Sequence, residues 1–171
     1  RMWFVAGGLL LLACTGVFGY LAFDHAHTRI DVWLSPYEHA DGAGYQTVQS
    51  IYAIQAGGVT GEGLGLGEPD VVPAAQTDYI YTAIAEELGL AGAIGVAMLY
   101  LVLLVAGLQV ALEAPNAYGR LLASAIALLV GIQAAVIIAG NLRIIPTTGV
   151  TLPFVSYGGS SLVVNFLLVG M

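Results

Sequence analysis

Lysine is missing from this chain altogether, and four arginines stand against eleven acidic residues and three histidines, for a formal net charge of −7. Arg1, Arg29, Arg120 and Arg143 are far apart in sequence. A nucleic-acid surface needs clustered cations to neutralise phosphates, so no nucleic-acid partner is expected. Cysteine is almost as scarce. Cys14 stands alone in an apolar run, which leaves no disulfide framework and no cysteine-based metal spacing. Charged residues make up only 9% of the 171 positions, 58% are hydrophobic, and mean hydropathy is +0.88. Too few polar side chains remain to coat a water-facing surface, which excludes an ordinary soluble domain.

What is present is a series of long apolar runs. A helix needs about 20 mostly apolar residues to cross the bilayer core, and residues 2–23 meet that length between Arg1 and the polar Asp24, His25 and His27. No multi-charged leader or small-residue cleavage site marks this run as a signal peptide, so it reads as a transmembrane (TM) helix. Residues 24–78 hold eight of the eleven acids and read as one long polar loop. Residues 79–112 are apolar again. As one straight helix they would be about 50 Å long against a core of about 30 Å, so the start is expected to project from the membrane, with Gly89, Gly92 and Gly95 as places to bend or pack closely. A short turn over 113–120 contains Pro115 and Asn116, and a further TM helix is expected over 121–140.

Residues 141–161 mix Pro, Gly, Thr and Ser, and read as an extracytoplasmic or re-entrant segment, which must line protein or a wet cavity if it lies at membrane depth. Residues 162–171 are too short to span and read as the start of a truncated TM helix. The expected fold is therefore all-α: residues 1–171 form a single membrane domain, part of a polytopic transmembrane helical bundle with a large extracytoplasmic loop. Arginine favours the cytoplasmic side, which puts Arg1 and Arg120 inside and the 24–78 loop and Arg143 outside.

Asp78 stands at the junction of the long loop and the apolar run, and two readings are open. Thr77 or Asp78 caps the helix, accepting hydrogen bonds from its free amides at a gain of about 1 kcal/mol; or Asp78 is a general base at the membrane surface, taking a proton from a sugar hydroxyl. Glu86 and Glu87 lie about two turns on and diverge in angle, so at most one shares the direction of Asp78, and Glu86 is the nearer. The glycine-rich run from Gly57 to Gly67 lacks the lysine and the strand–helix context of a phosphate loop, so it reads as a flexible loop or as one allowing close approach of backbone. His25, His27 and His39, with Asp24 and Asp31, match no strong metal-ligand spacing. Thr147 to Ser161 offers amides and hydroxyls without charge, suited to close helix packing or, less naturally here, an ion filter.

Taken in order, Gly44-Tyr45-Gln46, Gln49-Ser50, the glycine run, Pro73 with Thr77-Asp78-Tyr79, Glu86-Glu87-Leu88-Gly89 and the closing Thr151-Leu152-Pro153-Phe154-Val155-Ser156-Tyr157-Gly158-Gly159-Ser160-Ser161 resemble the SEDS family of RodA, FtsW and SpoVE, its C-terminal portion, with a lean toward RodA. The resemblance implies about ten membrane helices, each of a length set by the bilayer. It implies a multi-pass protein of the bacterial cell membrane that polymerises lipid II into glycan strands. Asp78 would be the catalytic base, and Arg29, Gln46, Thr77, Glu86, Ser156 and Ser160 would bind substrate. It implies membrane lipids and a class B penicillin-binding transpeptidase as partners, no tightly bound cofactor, and a divalent cation (Mg or Mn) as a candidate for steadying the departing pyrophosphate, beside Arg29 and Arg143. Where many relatives carry Glu and His before Thr-Asp, this chain has Ala74, Ala75 and Gln76. A lipid II flippase and a non-catalytic scaffold are the competing readings.

Overall fold

The computed structural model describes residues 3, 6–8, 10–11, 14–16, 20, 23–68 and 71–170. Among them there are helices and turns and no strand, as the all-α expectation requires. The apolar 2–23 run lies largely outside the described residues, although those described up to Tyr20 are helical. Two compact units are present, Arg1–Tyr45 and Gln46–Met171.

In the first unit, α1 (Asp24–Leu34) begins after an extended Phe23 and carries Asp24 in its first turn, where a carboxylate suits the positive end of the helix. One turn apart on its surface, His27 Nδ1 and Asp31 Oδ2 are 2.8 Å from each other. A 3-10 turn over Pro36–His39 follows, with proline at the helix start where its missing N–H costs nothing. The 24–78 stretch, expected as one polar loop, is thus partly helical, and α2 (Tyr45–Gly57) adds to this. Its side-chain pattern is too mixed to announce a helix, and packing selects the conformation: Ala53 of α2 sits in a buried cluster with Val72, Ala75 and Tyr79.

The second unit is built on an antiparallel pair. α3 (Ile80–Glu113) and α4 (Ala117–Asn141) are the two helices long and apolar enough to cross a membrane, and most of their apolar side chains face outward. The turn between them is tighter than the expected 113–120. Asn116 caps α4 by accepting a hydrogen bond from Gly119 N at 2.6 Å, so the helix starts at Ala117. Small residues let the pair approach: a Cβ on Gly107 would lie 2.7 Å from that of Ala127, and one on Gly131 would lie 3.0 Å from Leu104 Cδ1.

α3 is not one straight rod. Gly89 has φ 65° and ψ −164°, a conformation open essentially to glycine, and it divides the helix. The part from Leu90 to Glu113 is then about 36 Å long, close to the membrane core of about 30 Å. After α4, residues 142–158 are irregular before α5 (Gly159–Val169).

Candidate active site around Asp78

A helix break leaves backbone groups without partners, and buried ones must find others. The glycine loop supplies them. Glu62 N and Gly63 N donate to the carbonyls of Glu86 and Glu87, each at 3.0 Å, while Leu90 N donates to Gly58 O at 3.0 Å and Ala91 N to Val59 O at 3.5 Å. These are the carbonyls and amides that an unbroken helix would have joined to each other, Leu90 to Glu86 and Ala91 to Glu87. The loose-loop reading of residues 57–67 is therefore corrected: the loop docks on α3 backbone to backbone, and its glycines permit the distance.

Glu86, just before the break, is 5% exposed. Its Oε1 accepts a hydrogen bond from Glu68 N at 3.2 Å, and its buried Oε2 has no hydrogen-bond partner. The residue lines a cleft of ≈ 290 Å³ together with Gln49, Tyr52, Glu62 and Glu68. The cleft is acidic, and among the described residues no three His, Cys, Asp or Glu side chains converge to hold a metal ion. The histidines of the first unit act singly: His27 pairs with Asp31, and His39 Nδ1 lies 3.1 Å from Ser35 O.

Asp78 sits in the turn that enters α3. Ala74, at φ 61°, points its carbonyl at the N–H groups of both Thr77 and Asp78, each at 3.1 Å. From outside the turn, three consecutive carbonyls are gripped in sequence: Gln76 O accepts from Tyr157 N at 2.8 Å, Thr77 O from Ser156 Oγ at 2.6 Å, and Asp78 O from Asn141 Nδ2 at 2.9 Å. Ser156 is itself buried and accepts from Leu152 N at 2.8 Å. Among the described residues, by contrast, no hydrogen bond or ion pair engages the half-exposed Asp78 carboxylate. The backbone is fixed and the acid is left available, which suits a group that must meet a proton on a bound substrate.

The capping alternative is not realised. Tyr79 is the residue that opens α3, no side chain of the turn caps it, and Thr77 Oγ1 donates backward to Ala74 O at 3.2 Å. The side-chain atom that meets the first turn of α3 is Asn141 Oδ1, which accepts from Thr82 N at 3.3 Å beside the Tyr79 carbonyl at 3.0 Å.

Of the residues expected at a binding site, Thr77 and Ser156 are joined to Asp78 through its turn, and Glu86 lies on α3 in the acidic cleft. Gln46 is exposed at the start of α2, beside Thr47, whose hydroxyl lies 3.2 Å from Tyr79 Oη. Ser160 is exposed on the first turn of α5, and among the described residues no hydrogen bond ties it to the turn. Its neighbour Ser161 bonds with Thr151 and Asn165 instead. Arg29 is exposed on α1 in the other unit, and Arg143 is half-buried just after α4 with φ 58°. Sequence reasoning missed Asn141, Tyr100 and Gln133. A polar group inside or at the end of a span is costly in lipid and marks a buried bond by default, which was the signal available.

The whole chain, residues 1–171, matches the family model of the FtsW, RodA and SpoVE proteins, described as cell cycle protein. It is 43% identical over all 171 residues to the peptidoglycan glycosyltransferase RodA of Mycobacterium bovis, covering 36% of that protein, and equally to that of Mycobacterium tuberculosis strain H37Rv. Over 150 residues, 86% of the chain, it is 43% identical to the probable peptidoglycan glycosyltransferase FtsW of Geobacter metallireducens, covering 40% of that protein. The chain thus spans between a third and a half of the length of these relatives. With order, spacing and whole-chain similarity in agreement, this chain belongs to the FtsW/RodA/SpoVE family.

Proposed function

We propose that the whole protein is a peptidoglycan glycosyltransferase that polymerises lipid II into glycan strands, with Asp78 as the general base. The observation that carries this reading is the contrast at Asp78 itself: three successive carbonyls of its turn are held from outside, and no described group engages its carboxylate. In the proposed step the carboxylate takes the proton of the acceptor sugar hydroxyl, the freed oxygen bonds to the anomeric carbon of the donor, and the lipid pyrophosphate departs with the electrons of the broken bond. Proton removal by a placed base contributes about 10²- to 10⁴-fold in rate. A divalent cation that steadies the departing pyrophosphate belongs to the proposal, since such an ion is held by one or two carboxylates together with the phosphates themselves, and no step is routed through it.

The protein is proposed to sit in the bacterial cell membrane as a multi-pass protein, with Asp78 and residues 24–78 outside and the Arg120 turn inside. Two bonds support a re-entrant course for residues 142–158. Gln133, about 12 Å down α4 from Asn141 at about 1.5 Å per residue, donates to Thr151 O at 2.9 Å, and Tyr100 of α3 donates to Pro153 O. The irregular segment runs alongside the helices over these residues, where the carbonyls of Thr151 and Pro153 find partners on protein. A class B penicillin-binding transpeptidase is the proposed partner that crosslinks the product strand.

The test is glycan formation from labelled lipid II by the whole protein and its Asp78→Asn variant, both folded. Loss of product in the variant is expected. Full activity without a group able to accept the proton would end the assignment and leave the flippase or scaffold readings.

A further inference from the structure

Asn141, at the last position of α4, uses its entire hydrogen-bonding capacity. It is 4% exposed. Oδ1 accepts from Thr82 N at 3.3 Å and from Thr82 Oγ1 at 3.0 Å, and Nδ2 donates to Asp78 O at 2.9 Å and to Ile137 O at 3.1 Å. A side-chain amide has two acceptor sites and two N–H donors, so nothing is left over. The orientation is forced as well, because turning the amide over would set N–H against N–H and oxygen against oxygen. In a buried site each such mismatch is expensive, so the amide behaves as a rigid bracket.

The two halves of the bracket serve different ends. The oxygen closes the first turn of α3, which is a structural task. The nitrogen reaches 63 residues back along the chain to the carbonyl of Asp78 itself, with the bond to Ile137 O anchoring it to α4. Tyr157 and Ser156 steady the two preceding peptides, whereas Asn141 grips the residue that carries the carboxylate.

We propose that Asn141 is a positioning residue for Asp78, fixing the pitch at which the carboxylate meets the acceptor hydroxyl. This rests on the general-base reading of Asp78. Misplacement of a reacting group by about 1 Å can cost about a hundredfold in rate, so a loss of that order in kcat, with KM for lipid II little changed, is the expected result of removing the donor arm.

The experiment compares Asn141→Leu, which has a similar outline and no polar atom, with Thr82→Val, which removes one structural bond and leaves the Asp78 arm intact. Asn141→Asp is the second probe should the leucine variant fold poorly, since it keeps acceptors for Thr82 and gives up both N–H donors. Each variant of the whole protein is assayed for glycan formation from labelled lipid II below its own measured Tm, with Asp78→Asn alongside. A kcat loss confined to the Asn141 variants supports the proposal. Wild-type kcat in a folded Asn141 variant overturns it, as does an equal kcat loss in Thr82→Val, because the effect would then follow stability alone. If Asp78→Asn stays fully active, the base reading itself fails and the positioning role goes with it. An inactive Asp78→Asn beside fully active Asn141 variants removes only the positioning role.

Discussion

Gly61 and Gly89 meet backbone to backbone: a Cβ built on Gly89 would lie 2.3 Å from Gly61 N, and one built on Gly61 would lie 2.1 Å from the carbonyl oxygen of Glu87. Real side chains never sit that close to main-chain atoms, so any substitution must push the loop off the helix. Both glycines also hold positive φ, 80° at Gly61 and 65° at Gly89. The break in α3 and the loop that covers it are therefore one device, in which the amides of residues 62 and 63 take over carbonyls that the helix has released.

Replacing either glycine by alanine is expected to lower thermal stability in detergent, by about 1–3 kcal/mol for the strained backbone alone and by more for the overlap. Gly95→Ala is the matched control. Its Cβ would have nothing within 4 Å and its backbone is helical, so it is expected to be neutral or to gain up to about 1 kcal/mol from helix propensity. Equal Tm values for Gly89→Ala and Gly95→Ala would refute the docking argument.

Ser156→Ala removes the hydroxyl that donates to Thr77 O and accepts from Leu152 N. Both Ser156 and Leu152 are 1% exposed, so water cannot easily replace the lost partner. The expected cost is about 1–3 kcal/mol, with faster amide exchange in a peptide covering residues 150–157. Unchanged Tm together with unchanged exchange would mean that the hydroxyl is not what joins this segment to the Asp78 turn.

Glu86→Gln keeps an oxygen for Glu68 N and removes a charge from a side chain that is 5% exposed and has one oxygen without a partner. Burying an unpaired ionised carboxylate is unfavourable, so the neutral variant is expected to melt at the same temperature or higher. A clear drop in Tm would show that the charge itself has a bonding role in the folded state.

Much of the helical plan was legible in the chain. The apolar stretches at 79–112 and 121–140 are long because the bilayer demands it, and they appear as α3, shifted by one residue, and α4, longer at both ends. The TM helix expected over 2–23 falls largely on residues outside the described set. The helices α1 and α2 could not be read from a stretch rich in turn-forming and charged residues, and α2 owes its conformation to the packing of Ala53 against Val72, Ala75 and Tyr79 rather than to its own periodicity.

At the site, the sequence alone determined that a carboxylate stands where a polar segment meets a membrane helix, and that glycines crowd the loop before it. Those are properties of residue type and order, and solvent enforces them directly. Only the tertiary structure decided that Gly61 meets Gly89, that Asn141 rather than Thr77 or Asp78 serves the first turn of α3, and that Ser156 holds the Thr77 carbonyl from 79 residues away. The physical reason is the obligation of buried backbone groups to find partners. Which group is left unpaired depends on where helices break and end, and which group answers depends on what packing brings near.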